Sequence, residues 1–230
     1  MKKQNYDLIV VGAGPTGIFT VMELIKQDEN LDILMLEKGT NIERRTCPMK
    51  ENPGTKCTNC PSCSIVSGWG GAGAFSDGKL TLSPEIGGNL DQYIGWDKLK
   101  EHISYVDDIY LDFGAPDRVF GGDEEKTQDI KEKAIKANLK FIPARLRHLG
   151  TGYSKTVLGN MQNFIMDNGV DIEFGVNVKK LLTEDNRVVG VKTAAGDTYY
   201  GKYVVTAPGR ENAEWLSKEA RDMNIEMNIN

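Results

Sequence analysis

The chain has 230 residues, a net charge of −5, 27% charged and 40% hydrophobic residues. That balance excludes a disordered or fibrous protein, and the length suits roughly one or two domains. The acidity argues against nucleic acid as a partner, since phosphate binding needs a basic surface, and no apolar run reaches the ~20 residues of a membrane span.

The start, "MKKQNYDLIVVGAG", is not a signal peptide. Its apolar stretch is too short, carries Asp7 at its head and runs straight into glycines. The expectation is a cytoplasmic protein with reduced thiols. Leu8 to Val11 form a continuous apolar run, which fits a strand buried on both faces of a parallel sheet. Glycines follow, then Ile18, Val21, Met22 and Ile25 at helical spacing, then a second strand, "LDILMLE". This is a β-α-β unit of a doubly wound fold.

Gly12, Gly14 and Gly17 make G-x-G-x-x-G between that strand and that helix. The first glycine permits a tight turn, the second lets a pyrophosphate reach the backbone, and the third lets helix and strand approach. The helix N-terminus offers free N–H groups to phosphate. Glu37 ends the second strand 20 residues after Gly17, where a carboxylate meets ribose hydroxyls. A second match, Gly68, Gly70 and Gly73, has no long strand before it and no good helix after it. It reads as a glycine-rich loop whose backbone approaches a flat ligand.

Residues 38–96 have little periodicity and many Gly, Pro, Ser and Asn. Helices are expected at "DKLKEHISYVDDIYLDFG", "EEKTQDIKEKAIKANL" and "KTVLGNMQNFIMDNG", the last stopped by Asn168-Gly169. Short β segments follow at "VDIEFGVNVKKLLTE", "RVVGVKTAAG" and "TYYGKYVVTAPG", separated by turn residues such as Asp185-Asn186.

All four cysteines, Cys47, Cys57, Cys60 and Cys63, fall in one window, with Pro48 after the first. Overlapping Cys-x2-Cys-x2-Cys with a further Cys-Pro is a run that wraps a [4Fe–4S] cube. Zinc, which prefers two separate Cys-x2-Cys knuckles, a thiol/disulfide pair and inert thiols stay open beside it. Among candidates for chemistry, His148 suits proton shuttling or a structural hydrogen bond. Ser76 and Asp77 follow the glycine loop, where they position a substrate or simply make a turn. Trp69 and Phe75 cover a ring or belong to the core. His102, in a charged helix, reads as a surface residue.

The stretches "VVGAGPTGIF", "LEKG", "RRTCP", "CTNCPSC", "SGWGGAGAFSDGKLTLS", "HLGT" and "APGRENAEWL" resemble the uncharacterised FAD-dependent dehydrogenases of the glutathione-reductase-type flavin fold. The resemblance implies an α/β Rossmann-like FAD-binding domain over residues 1–230, with a parallel sheet, an inserted small β-meander and a Cys/Gly-rich insertion at 46–80. It implies FAD held by Gly12, Gly14, Pro15, Gly17, Glu37, Lys38, Arg45, Gly71 and Val178. It implies an oxidoreductase acting on a small-molecule substrate, with NAD(P)H as a candidate electron donor, an electron-transfer partner as a further candidate, and Ser76, Asp77 and His148 near the chemistry. The late Gly-Asp motif of that family is missing, so the chain reads as an N-terminal half. The alternatives are a non-catalytic nucleotide-binding fragment, a zinc-stabilised redox-sensing module and an NAD-dependent dehydrogenase.

Overall fold

The structure, a computed structural model, describes residues 3–52 and 54–227. In chain order its elements are β1 (Asn5–Val11), α1 (Pro15–Gln27), β2 (Ile33–Glu37), α2 (Pro48–Glu51), β3 (Lys79–Thr81), α3 (Asp91–Ile94), α4 (Trp96–Asp112), β4 (Val119–Phe120), α5 (Glu124–Lys136), β5 (Leu146–His148), α6 (Gly150–Asp167), β6 (Asp171–Phe174), β7 (Val178–Glu184), β8 (Arg187–Thr193), β9 (Thr198–Thr206) and α7 (Ala213–Asp222). They form two compact units, Met1–Phe75 with Leu158–Asn230, and Ser76–Val157.

The first unit is built on a six-stranded sheet in the order β6-β2-β1-β9-β8-β7. β6, β2, β1 and β9 run parallel, and β8 and β7 add antiparallel. β1 shows why its sequence is an unbroken apolar run: Leu8, Ile9, Val10 and Val11 are all buried, because both sheet faces are covered. On one face Ile9, Val11, Leu34 and Leu36 join Val178, Leu181, Val191 and Tyr199 in a single core. α1 buries Gly17, Ile18, Val21 and Met22, the i, i+1, i+4, i+5 stripe of an amphipathic helix. The fold is therefore the expected Rossmann-like α/β type, with its parallel sheet and β-meander.

The meander, β7-β8-β9, is spliced into the sheet through β9. That strand pairs antiparallel with β8 and parallel with β1. Asp185 and Asn186, both at positive φ (46° and 62°), close the β7–β8 hairpin in the backbone form that Asp and Asn tolerate best.

In the second unit the stretch before α6, Leu146–His148, is the centre of a small antiparallel sheet, β3-β5-β4, which the sequence reading did not foresee. Strands of two or three residues are too short to show a period. Arg147, on β5, is buried and gives bidentate bonds to Asp107 (2.6 and 2.8 Å) and a third to the Pro116 carbonyl (2.6 Å). His148, the next residue of the strand, faces the opposite way and is exposed, and Arg145, just before the strand, is exposed too. Asp107 also raises the Arg147 pKa above its ordinary value, so this guanidinium is a structural strut of the unit.

Candidate cofactor site

Parallel α/β sheets bind ligands beyond the carboxyl ends of their strands. A cavity of about 750 Å³ opens there in the first unit, walled by Val11 and Gly12 after β1, Leu36 to Lys38 at the end of β2, and Ala207 to Asn212 after β9. That is a normal size for a cofactor pocket. Gly14, Pro15, Gly71 and Val178 also line it.

The three glycines of the fingerprint have different reasons to be glycine. Gly12 sits at φ +103°, and a Cβ there would collide with the Ala207 carbonyl oxygen. A Cβ on Gly17 would collide with the Gly12 carbonyl oxygen. Both positions are closed by the chain itself. Gly14 has φ −78°, open to any residue, and a Cβ there would meet only Gly71 Cα, at 4.0 Å. Nothing in the protein demands glycine at 14; the space beside it faces the cavity and the first turn of α1.

Glu37 is buried and already much committed. One carboxylate oxygen accepts the Ala13 N–H (2.8 Å), and the other accepts the Gly39 and Gly68 N–H groups (2.8 Å each). A carboxylate has about four acceptor positions, so roughly one remains for a ligand. Glu37 thus binds the end of β1, the end of β2 and the glycine-rich loop into one wall. That loop completes the wall with backbone: Gly70 N–H donates to the Ala13 carbonyl, and Gly68, Gly71, Ala72 and Gly73 all face the cavity.

Arg45 stands behind this wall. Its guanidinium donates to the carbonyls of Ser64 (3.0 and 2.6 Å), Trp69 (2.7 Å) and Gly71 (2.6 Å), and lies 5.1 Å over the Phe75 ring. Burial pulls its pKa down to about 10, against the opposing charges of Glu37 and Cys63. Trp69 is core: it is fully buried, donates from its indole to the Leu158 carbonyl and packs edge-on against Phe174.

The rim carries residues to which the sequence alone assigned no role. Glu211, just after β9, accepts hydrogen bonds from Ser67 Oγ and from Lys38 Nζ (3.0 Å). Burial raises the Glu211 pKa, but the hydrogen bonds from Ser67 and Lys38 outweigh it, and the net effect is a lowering. A carboxyl that titrates lower folded than unfolded stabilises the fold fully above its ordinary value near 4.5, and that contribution fades as pH falls through the folded value. Glu211→Gln is therefore expected to lower stability by less than about 1 kcal/mol at neutral pH, since the pair is partly exposed. Thermal unfolding at neutral pH and at about pH 3 checks this. A gap between variant and parent that persists undiminished in acid contradicts it.

Ser76, Asp77 and His148 come together in the second unit. Lys79 pairs with His148 in the β3–β5 ladder, and the Asp77 carbonyl accepts the Gly150 N–H (2.9 Å). A hydrogen bond from Lys79 holds the Asp77 carboxyl below its usual value. All three residues are exposed, as is His102 on α4. The four cysteines are free thiols and line a separate cavity of the first unit. Among the described residues, no group of three or more His, Cys, Asp or Glu side chains is set to hold a metal ion as it stands. No helix among them is long and apolar enough to cross a membrane.

Known structures share this architecture. The 3-ketosteroid-Δ4-(5α)-dehydrogenase of Rhodococcus jostii RHA1, solved with 4-androstene-3,17-dione, aligns over 90% of this chain and 46% of its own, with a TM-score of 0.53 and 19% identity. The likeness is one of fold, shared with a steroid dehydrogenase and the two proteins that follow. Glycine oxidase of Geobacillus kaustophilus matches over 98% of this chain and 60% of its own (TM-score 0.53, 13% identity). THI4 of Thermovibrio ammonificans matches over 98% and 65% (TM-score 0.52, 16% identity). An uncharacterised protein of Clostridium beijerinckii is 27% identical over 220 residues, 94% of this chain and 34% of that protein. The chain thus spans about a third of that relative and less than two thirds of each of these solved structures. No protein-family profile matches the chain.

Proposed function

We propose that the chain is the FAD-binding part of an oxidoreductase that acts on a small organic molecule. One observation carries this reading: Gly14 is glycine with no demand from the protein, at the mouth of a dinucleotide-sized cavity. A ligand that packs against the backbone explains it. In this reading the first turn of α1 directs N–H groups at the diphosphate, helped by the helix dipole. The remaining acceptor position of Glu37 takes a ribose hydroxyl, and the start of β7 at Val178 meets the adenine. Lys38 and Glu211 close the rim over the sugar end. The loop at Gly71 and Gly73 presents bare backbone to the ligand, so a flat ring system can lie close. Arg45 stays out of contact and keeps that loop in place. FAD, when bound, supplies hydride and electron transfer. Ser76, Asp77 and His148 are the proposed proton-handling group of the second unit.

The test is cofactor uptake by the purified chain. Stripped protein titrated with FAD should quench flavin fluorescence and saturate at one FAD per chain. Saturation by NAD⁺ with no FAD uptake, or indifference to both, overturns the reading.

A further inference from the structure

Among the described residues, none of 46–65 lines the pocket at the sheet, yet this loop holds every cysteine of the chain. Cys47, Cys57, Cys60 and Cys63 all line one cavity of about 250 Å³, with Met49 and Ile65 among its other walls. Cys47 caps the short helix α2, and Cys47 and Cys63 are half-buried while Cys57 and Cys60 are exposed. The thiols now make only weak local contacts: Cys57 donates to Asn59 Oδ1 at 3.6 Å, and Cys60 Sγ lies 3.2 Å from the Thr58 hydroxyl. Between Cys60 and Cys63, the Ser62 hydroxyl is buried without a hydrogen-bond partner. Such an orphan is destabilising unless something satisfies it. The rear of the cavity is fixed, because Arg45 is bonded twice to the Ser64 carbonyl, and its cationic head faces Cys63.

We propose that the cavity ringed by Cys47, Cys57, Cys60 and Cys63 is the seat of an iron–sulfur cluster held by thiolates. The donor set is sulfur only, which selects soft metals and clusters over hard cations. The room favours a cluster over a single ion. At about 30 Å³ per water, the cavity would hold several waters, whereas a zinc ion needs little beyond its own ligands at about 2.3 Å. The spacing agrees, since zinc would need Cys60 to serve both knuckles, while a cube uses one thiolate per iron. The Ser62 hydroxyl gains an acceptor if it turns to a cluster sulfur. Asn59, at φ +49°, makes the tight turn between Cys57 and Cys60. Because the thiols are not yet closed on one another, loading draws the exposed Cys57–Cys60 turn inward, and each ligating thiol releases its proton to solvent. Among the described residues, none lines both this cavity and the pocket at the sheet.

The experiment incubates the reduced, purified chain anaerobically with equal amounts of Fe²⁺ and Fe³⁺ and with sulfide, removes the excess, and measures iron, acid-labile sulfide and, after one-electron reduction with dithionite, the electron paramagnetic resonance spectrum. A parallel sample receives Zn²⁺ alone. Iron and sulfide in equal amounts, a cluster signal, and protection of the Cys57–Cys63 loop from proteases are expected. Cys60→Ser, at an exposed position, should drop bound iron and sulfide to background while FAD uptake is unchanged. Zinc held in preference to iron and sulfide, iron bound without sulfide, or full cluster retention in Cys60→Ser overturns the proposal. A chain that loads the cluster but takes up no FAD refutes the flavin reading alone, and the reverse outcome refutes the cluster alone.

Discussion

Gly14→Ala is expected to leave the melting temperature within about 2 °C of the parent while weakening FAD binding about 10–100-fold. The new methyl meets nothing in the protein closer than 4.0 Å, so the apoprotein has no clash to relieve. Alanine is a poorer N-cap than glycine, but it also stiffens the unfolded chain. Each effect is below about 1 kcal/mol, and they oppose. The methyl does occupy the space where a diphosphate would approach the first turn of α1. Losing one charge-assisted bond there costs about 1.5–3 kcal/mol, which sets the expected factor. Gly12→Ala is the contrast. Its methyl collides with the Ala207 carbonyl at a backbone angle alanine rarely adopts, and strain and overpacking together cost about 2–6 kcal/mol. That variant should melt well below the parent with or without ligand. Calorimetry of the apoproteins and an FAD titration separate the two effects. Unchanged FAD affinity in Gly14→Ala would place the diphosphate elsewhere.

The second large effect belongs to Arg45→Met. The side chain is buried and gives four hydrogen bonds to three carbonyls, with Glu37 as opposing charge. Methionine fills similar space but leaves those oxygens and that carboxylate without their cation. Removing one partner from such a buried arrangement costs about 3–5 kcal/mol. For a chain of this size that lowers the melting temperature by roughly 6–20 °C. Arg45→Lys keeps the charge but cannot span three carbonyls, so it should fall between. A methionine variant that melts within about 2 °C of the parent would show that this guanidinium does not hold the two loops together.

Much of the first unit was legible from residues alone. The unbroken apolar run of β1 reports burial on two faces, and the glycines mark a strand-to-helix turn, because both signals are local. The β-meander was legible for the same reason, through turn pairs such as Asp185-Asn186. The clustering of cysteines in sequence also carried over, since short spacing forces spatial proximity. The rest depended on partners distant in sequence. Glu37 reads as a ribose ligand, yet backbone amides at Ala13, Gly39 and Gly68 claim most of its acceptor capacity. Arg45 reads as a cofactor contact, and nothing local reveals that it faces carbonyls behind the wall. Glu211 gains a rim position only because β9 returns beside β1. The β3-β5-β4 sheet is invisible because its strands are shorter than the period that would announce them.

That return has a consequence for how the molecule comes to exist. β1 leaves the ribosome nearly two hundred residues ahead of its partner β9, with Asn5 opposite Tyr200 and Val11 opposite Thr206. Until the later strand emerges, the middle of the sheet has an open side on its most apolar strand, and the Ala207 oxygen that shapes the glycine turn is not yet made. Distant pairing of this kind is slow to form and leaves sticky edges exposed meanwhile. The pocket at the sheet thus cannot close until the residues after β9 have emerged.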